Sequence, residues 1–466
     1  MITLAEAEQQ FEAASPSFHL TRSIDELRAR EFSRLDAGGN VYLDFTGGSL
    51  YAESQVQQHA DLLRRQVLGN PHSKSPASAC ATALLERARA RVLRFFNASP
   101  SEYQVIFTAN ATHALKLVGE SYPFAPGGEF LLTFDNHNSV NGIREYARAR
   151  GASIVYVPVV PPDMRCPDVR MASEQAERAG GEARLFAYPA QSNFSGVHHP
   201  LAWIGQAQAL GWDVLVDAAS FAPTNKLDLE RWHPDFVTLS FYKMFGYPTG
   251  VGALIARIDA LRKLHRPWFA GGTITVASVS ADRYVLAPGA TAFEDGTADY
   301  ANIPAVEIGL DLLEQVGLDV IHDRVMCLTS WLLDRMSALK HSNGQPLLTI
   351  YGPTSTERRG GTIAMNFHDP AGLVIDHDEI EVRAANQGIS LRTGCFCNPG
   401  AGEVALGLSS EELSPCFGRA DRHMTYDGFR HCVAPKSSGA VRISLGLVSN
   451  FADVHAFVRF ASAFLE

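Results

Sequence analysis

Two residues of opposite charge close short apolar runs in the middle of this chain. Val214-Leu215-Val216 runs into Asp217, and residues 236–241 run into Tyr242 and Lys243, followed by a Gly/Pro-rich turn. Short apolar runs bounded by turn residues predict buried strands. In an open α/β sheet the ligand sits at the carboxyl ends of the strands, so both side chains are expected on one rim. A lysine there can form a Schiff base, and an acid can keep a pyridinium nitrogen protonated so that its ring withdraws electrons. The pair therefore suits pyridoxal phosphate. In an arbitrary sequence the same two residues are a loop cap and a surface charge. A membrane span over residues 236–256 is excluded, because a central lysine costs about 2.5–3.5 kcal/mol there and Pro248 weakens the helix.

A second cluster lies in Arg392-Thr393-Gly394-Cys395-Phe396-Cys397-Asn398-Pro399-Gly400. Its glycines and proline predict an exposed loop. A thiol beside the cationic Arg392 can have a lowered pKa and act as a nucleophile. The rival readings are an idle cysteine pair and a zinc site drawn from Cys395, Cys397, Cys416 and Cys432, with His423 and His431. C-x-C is not the usual C-x₂₋₄-C ligand pair. Upstream, Thr108-Ala109-Asn110-Ala111-Thr112-His113 places a hydroxyl and small residues at a strand-to-helix junction. Such a junction binds anions through free N–H groups, or merely caps its helix.

These clusters need a scaffold, and the pattern supplies one. Strands are expected at residues 41–45, 103–108, 130–134, 153–159, 185–188 and 214–217. Helices are expected at 79–96, 114–120, after His137, through 172–179 and near 204–210. That alternation predicts a mostly parallel sheet covered by helices on both faces. From about Ile303 the pattern changes to longer helices, 305–316 and 325–339, and sparser strands such as 362–367. We expect a large domain over 61–300 and a smaller α+β domain over 301–466 that carries the cysteine loop, joined by the segment 1–60. The length of 466 residues gives enough core for both.

Composition narrows the partners. A net charge of −10 argues against nucleic acid. The first residues have neither a basic n-region nor an apolar h-region, so no signal peptide is expected. Seven cysteines, an odd count, fit a reducing compartment, and we expect a cytoplasmic protein without a membrane partner.

With Asp217, Lys243 and the cysteine loop in view, the chain resembles class V of the fold-type I pyridoxal phosphate enzymes. It is most similar to the cysteine desulfurase-like domain of molybdenum cofactor sulfurases. The phrases carrying the likeness are Asn136-His137-Asn138-Ser139-Val140, Ser240-Phe241-Tyr242-Lys243, Phe245-Gly246-Tyr247-Pro248-Thr249-Gly250, the cysteine loop and Val441-Arg442-Ile443-Ser444. The resemblance implies that Lys243 carries the cofactor, that Asp217 partners its ring nitrogen and that His137 stacks on the ring and relays protons. It further implies phosphate contacts from Thr112 and Ser240, and from Thr297 to the other subunit of a homodimer. Asn193 and Ser220 would border the cofactor, Arg442 would hold the substrate carboxylate and Cys397 would carry the persulfide. No metal is implied. Three departures stand out: Tyr242 precedes the lysine, Ser220 follows the aspartate by three, and Gly402 follows Ala401.

The implied reaction takes L-cysteine, or a related amino acid, to L-alanine and leaves sulfur on the protein for a protein or small-molecule acceptor. The alternatives are a related C–S lyase or aminotransferase of specialised metabolism, in which Cys397 carries no sulfur, and a catalytically silent sulfur carrier or assembly partner.

Overall fold

The computed structural model describes residues 3–71, 73–167, 183–418, 424–434 and 436–466. The strands in chain order begin with β1 (Val41–Tyr42), β2 (Tyr103–Thr108), β3 (Glu129–Thr133) and β4 (Ser153–Val157). They continue with β5 (Arg184–Pro189), β6 (Asp213–Asp217), β7 (Phe236–Ser240) and β8 (Gly252–Arg257). Seven of these form one sheet in the order β2-β8-β7-β6-β5-β3-β4. Only β8 runs antiparallel, against both β2 and β7; the remaining neighbours are parallel.

Residues of β6 and β7 are buried throughout, and their side chains alternate between two cores. Val214 and Val216 face one core with Val237 and Leu239, while Leu215 and Phe236 face the other. The helices Pro76–Phe95 and Pro304–Val316 supply Leu85, Val92, Leu310 and Leu313 to the first core. Ala111–Ser121 and Ile143–Ala149 cover the second with Leu115, Val118 and Ile143. A sheet covered on both faces explains why its strands read as nearly continuous apolar runs.

Further strands follow: β9 (Ile274–Ser278) and β10 (Arg283–Leu286) form a hairpin, then come β11 (Leu348–Tyr351), β12 (Thr362–Phe367), β13 (Ile389–Ser390), β14 (Arg392–Gly394) and β15 (Ala440–Ser444). An antiparallel sheet runs β11-β12-β15-β14. The N-terminal segment meets these late elements. β1 pairs with β13, Phe11 stacks on Phe451 at 4.8 Å, and Arg28 Nη1 donates to Asp453 Oδ2 at 2.5 Å.

The expected α/β class with a large, mostly parallel sheet is what the chain forms. Some local expectations shift. The strand foreseen over 41–45 shortens to β1, and Asp44 keeps only a lone bridge to Ser444. The helix expected at 325–339 begins earlier and spans Leu318–Ser337, directly after Gly317, whose φ of 88° ends the preceding helix. The β9–β10 hairpin was not expected. The helix expected at 172–179 lies outside the described residues. Among the described residues no helix is long and apolar enough to cross a membrane.

Candidate active site

The carboxyl rim of the large sheet gathers residues from the connections that follow β2, β3, β6 and β7. Asp217 ends β6, and its Oδ1 accepts the Ala219 N–H at 3.0 Å. Ser240 ends β7, and Lys243 lies just beyond it on the short helix Phe241–Phe245. Ser240 Oγ accepts the N–H of Ala111 at 2.9 Å, which ties β7 to the N-terminus of Ala111–Ser121. On that first turn, Thr112 Oγ1 lies 2.7 Å from Ser139 Oγ. His137 follows β3 and caps a short helix, Asn138–Asn141, with its ring.

A cavity of about 290 Å³ lies among these groups, lined by Thr112, His137, Asn193, Asp217, Ser220, Ser240 and Lys243. Seven of the residues expected from the sequence therefore meet in one place. A second cavity, of about 460 Å³, shares His137, Asn193, Tyr242 and Lys243 with the first and adds Cys395, Cys397, Arg392 and Arg442. Thr297 is not among them. It is exposed and lines a separate pocket that touches the first through Ala109 and Gly250.

Electrostatics distinguish the two basic groups nearest the centre. Loss of hydration pulls the Lys243 amine below its ordinary pKa; Asp217 opposes that shift and Arg442 adds to it. Burial also lowers His137, and the Lys243 charge lowers it further. The His137 Nδ1 accepts the Ser139 N–H at 3.1 Å. A neutral imidazole held in that way carries its hydrogen on Nε2.

The cysteine loop is fastened over this floor. Phe396 and Cys397 both have positive φ, 55° and 54°, which turns the chain sharply between β14 and the helix Pro399–Ala405. The Phe396 carbonyl accepts Asn193 Nδ2 at 2.8 Å, and the Cys397 carbonyl accepts the Asn138 N–H at 2.6 Å. Asn398 is fully buried, and its Nδ2 donates to the Asp135 carbonyl at 2.6 Å and to Asn193 Oδ1 at 2.9 Å. The Cys397 side is exposed, whereas Cys395 is half-buried and its thiol is pushed up by burial.

Arg442, on β15, lies over the Phe396 ring at 4.7 Å. Its Nη1 donates to the Asn193 carbonyl at 3.0 Å and its Nη2 to Asp44 Oδ1 at 2.9 Å. Its Nε is buried without a partner in the protein, so a donor remains for a ligand acceptor.

The zinc alternative does not assemble. Cys416 and Cys432 are joined in a disulfide with Cα atoms 5.9 Å apart. That leaves no thiolates for a metal at those positions and departs from the all-reduced state expected of the cysteines. His431 is directed to the Asp427 carbonyl of its own helix, at 2.7 Å, and His423 lies outside the described residues.

Sequence reasoning missed Asp44, Asn110, Ser139 and Gln191, all at the two cavities or their walls. Asp44 had a visible signal, an acid inside the apolar run Val41-Tyr42-Leu43-Asp44-Phe45. The others are polar residues of loops and of the short helix Asn138–Asn141, whose placement at the cavity depends on contacts distant in sequence.

The aminotransferase class-V family model matches residues 41–457. The chain belongs to that family. Class-V domains depend on pyridoxal phosphate, and the donor set here fits that cofactor: a lysine and an acid from adjacent strands, an imidazole, and two hydroxyls at a helix N-terminus. The chain is 38% identical over 472 residues to the molybdenum cofactor sulfurase of Solanum lycopersicum, covering 95% of this chain and 57% of that protein. It spans only a little more than half the length of the curated relatives it matches. Among solved structures, a cysteine desulfurase from Thermococcus onnurineus NA1 superposes with a TM-score of 0.76 at 22% identity, covering 95% of this chain and 98% of that one. The Escherichia coli cysteine desulfurase CsdA gives 0.73 at 21%, with coverage of 95% and 99%. This class-V chain thus shares the desulfurase fold along nearly its whole length.

Proposed function

We propose that this protein is a pyridoxal-phosphate-dependent, cysteine desulfurase-like enzyme. It converts L-cysteine to L-alanine and holds the sulfur as a persulfide on Cys397. The observation that carries this reading is the shared cavity: an exposed loop thiol opens onto the same space as Lys243, His137 and Arg442.

When bound, the cofactor supplies an electron sink at the substrate α-carbon. The residues of the chain do the rest. Asp217 offers its carboxylate to the ring nitrogen, and Thr112 and Ser240 offer hydroxyls to the phosphate. Asn193 and Ser220 border the ring. Lys243, depressed in pKa and so able to lose its proton, holds the cofactor and then moves the substrate α-proton. His137, neutral with hydrogen on Nε2, would stack on the ring and offer that N–H as a hydrogen-bond donor to the substrate. Arg442 grips the substrate carboxylate. Cys397 attacks the substrate sulfur. The carbon–sulfur bond breaks as a sulfur–sulfur bond forms, and the proton lost from the thiol balances the new carbon–hydrogen bond of alanine.

The relatives' name points to the molybdenum cofactor as the acceptor of that sulfur. We further read the active unit as a cytoplasmic homodimer in which Thr297, exposed beside the cofactor cavity, reaches the other subunit's phosphate.

The test is incubation of purified protein with L-cysteine, followed by intact-mass measurement and alanine assay. One added sulfur atom per chain with matching alanine supports the reading. Release of pyruvate or sulfide with no protein-bound sulfur would replace it with the C–S lyase reading.

A further inference from the structure

Arg392 and Arg442 are directly paired across β14 and β15, Cα partner to Cα partner. Like charges at opposed positions of an antiparallel pair repel. Asp44 lies between them. Its Oδ1 accepts Arg442 Nη2 at 2.9 Å, and its Oδ2 accepts Arg392 Nε at 3.0 Å and Nη2 at 2.5 Å. The carboxylate is buried, as is Arg442, whereas the Arg392 side chain is 54% exposed at the mouth of the cavity.

The surroundings confine Asp44 to this role. Gly47 approaches it so closely that a Cβ there would lie 2.5–2.8 Å from the carboxylate atoms. The remaining acids at the mouth are engaged elsewhere. Asp378 accepts Arg430 Nη1 at 2.6 Å, and Glu381 accepts Thr393 Oγ1 at 2.6 Å while adding a weaker pull on Arg392. Asp44 therefore cancels Arg392 and holds one arm of Arg442, whose unpartnered Nε is left for a ligand. Among these three groups, two guanidinium ions and one carboxylate, one positive charge is left over, which matches one carboxylate and not two.

We propose that Asp44 is the specificity-determining residue of the carboxylate subsite, restricting the enzyme to amino-thiol acids with a single carboxylate. The inference deepens the functional reading above and rests on its assignment of Arg442. Removing the Asp44 charge leaves two cations side by side, a better match to a dicarboxylate. A fixed fork discriminates through charge and geometry together.

The test uses holoenzyme and the ligand pair 3-mercaptopropionate and mercaptosuccinate, which differ by one carboxylate and lack the amine needed for turnover. Calorimetric Kd values are measured for wild type, Asp44→Asn and the charge-retaining Asp44→Glu. We expect wild type and Asp44→Glu to favour the monocarboxylate. Asp44→Asn should shift the Kd ratio at least tenfold toward the dicarboxylate. A ratio that stays constant across all three proteins overturns the proposal, because general loosening of the fold weakens both ligands alike. Absence of persulfide on wild type, measured separately, would strike the functional reading and leave this ratio interpretable.

Discussion

The N–H of Asn138 donates to the Cys397 carbonyl at 2.6 Å, so the segment bearing His137 and the loop bearing the thiol are held together. That bond is one of several. Asn398, wholly buried, spans from the loop to Asp135 and Asn193. The thiol is thus delivered by a fastened turn with its backbone carbonyls satisfied.

Asn398→Ala should cut that fastening. Leaving buried acceptors unsatisfied costs about 1–3 kcal/mol, and a displacement of about 1 Å can cost about a hundredfold in rate. We expect a lower melting temperature and persulfide formation slowed at least tenfold, with the cofactor spectrum unchanged. Rapid-quench mass measurement after L-cysteine gives the rate. A variant as fast as wild type would mean that the loop does not depend on this anchor.

The hydroxyl of Thr112, set at the start of Ala111–Ser121, is assigned to the cofactor phosphate. A hydrogen bond to a charged group is worth about 1.5–3 kcal/mol, so Thr112→Val should weaken pyridoxal phosphate binding by roughly ten- to a hundredfold. Fluorescence titration of the cofactor-free protein measures this. Unchanged affinity would remove Thr112 from the phosphate site.

Lys243 makes the cofactor-free protein sensitive to alkaline pH. Its amine is pulled down mainly by loss of hydration. The unfolded chain keeps that proton up to about pH 10.4, while the folded chain releases it at lower pH. Across that window the unfolded state binds more protons, so stability rises with pH; below the folded value the buried charge costs stability. Lys243→Met should flatten this rise. Urea unfolding of both proteins at stepped pH tests it, and equal slopes would contradict the burial argument.

The legible parts of the sequence were those set by local pattern. β2 and β12 fall at the expected residues, because alternating or continuous apolar runs between turn residues specify strands. Asp217 and Lys243 could be brought to one rim because each ends such a run. Asp44 stood out in the sequence only as an acid inside an apolar run; its role arises from two arginines 348 and 398 positions away. Ser139 and Gln191 reach the cavity only through the packing of separate connections. The Cys416–Cys432 pairing was equally hidden, because sequence spacing does not determine connectivity. The β9–β10 hairpin was missed, its exposed strands carrying no buried face to impose a pattern.

Both loop cysteines line the cavity, and side chains two apart do not differ in direction on an extended segment. Here, however, the turn leaves Cys397 exposed and Cys395 half-buried, with the Cys395 thiol pushed up by burial. The most direct measurement is peptide mass mapping of the sulfur after L-cysteine, on wild type, Cys397→Ser and Cys395→Ser. The account predicts sulfur on the Cys397 peptide, its loss with nearly all alanine release in Cys397→Ser despite a normal cofactor spectrum, and substantial retention of both in Cys395→Ser. Sulfur that persists in Cys397→Ser and vanishes in Cys395→Ser would contradict it.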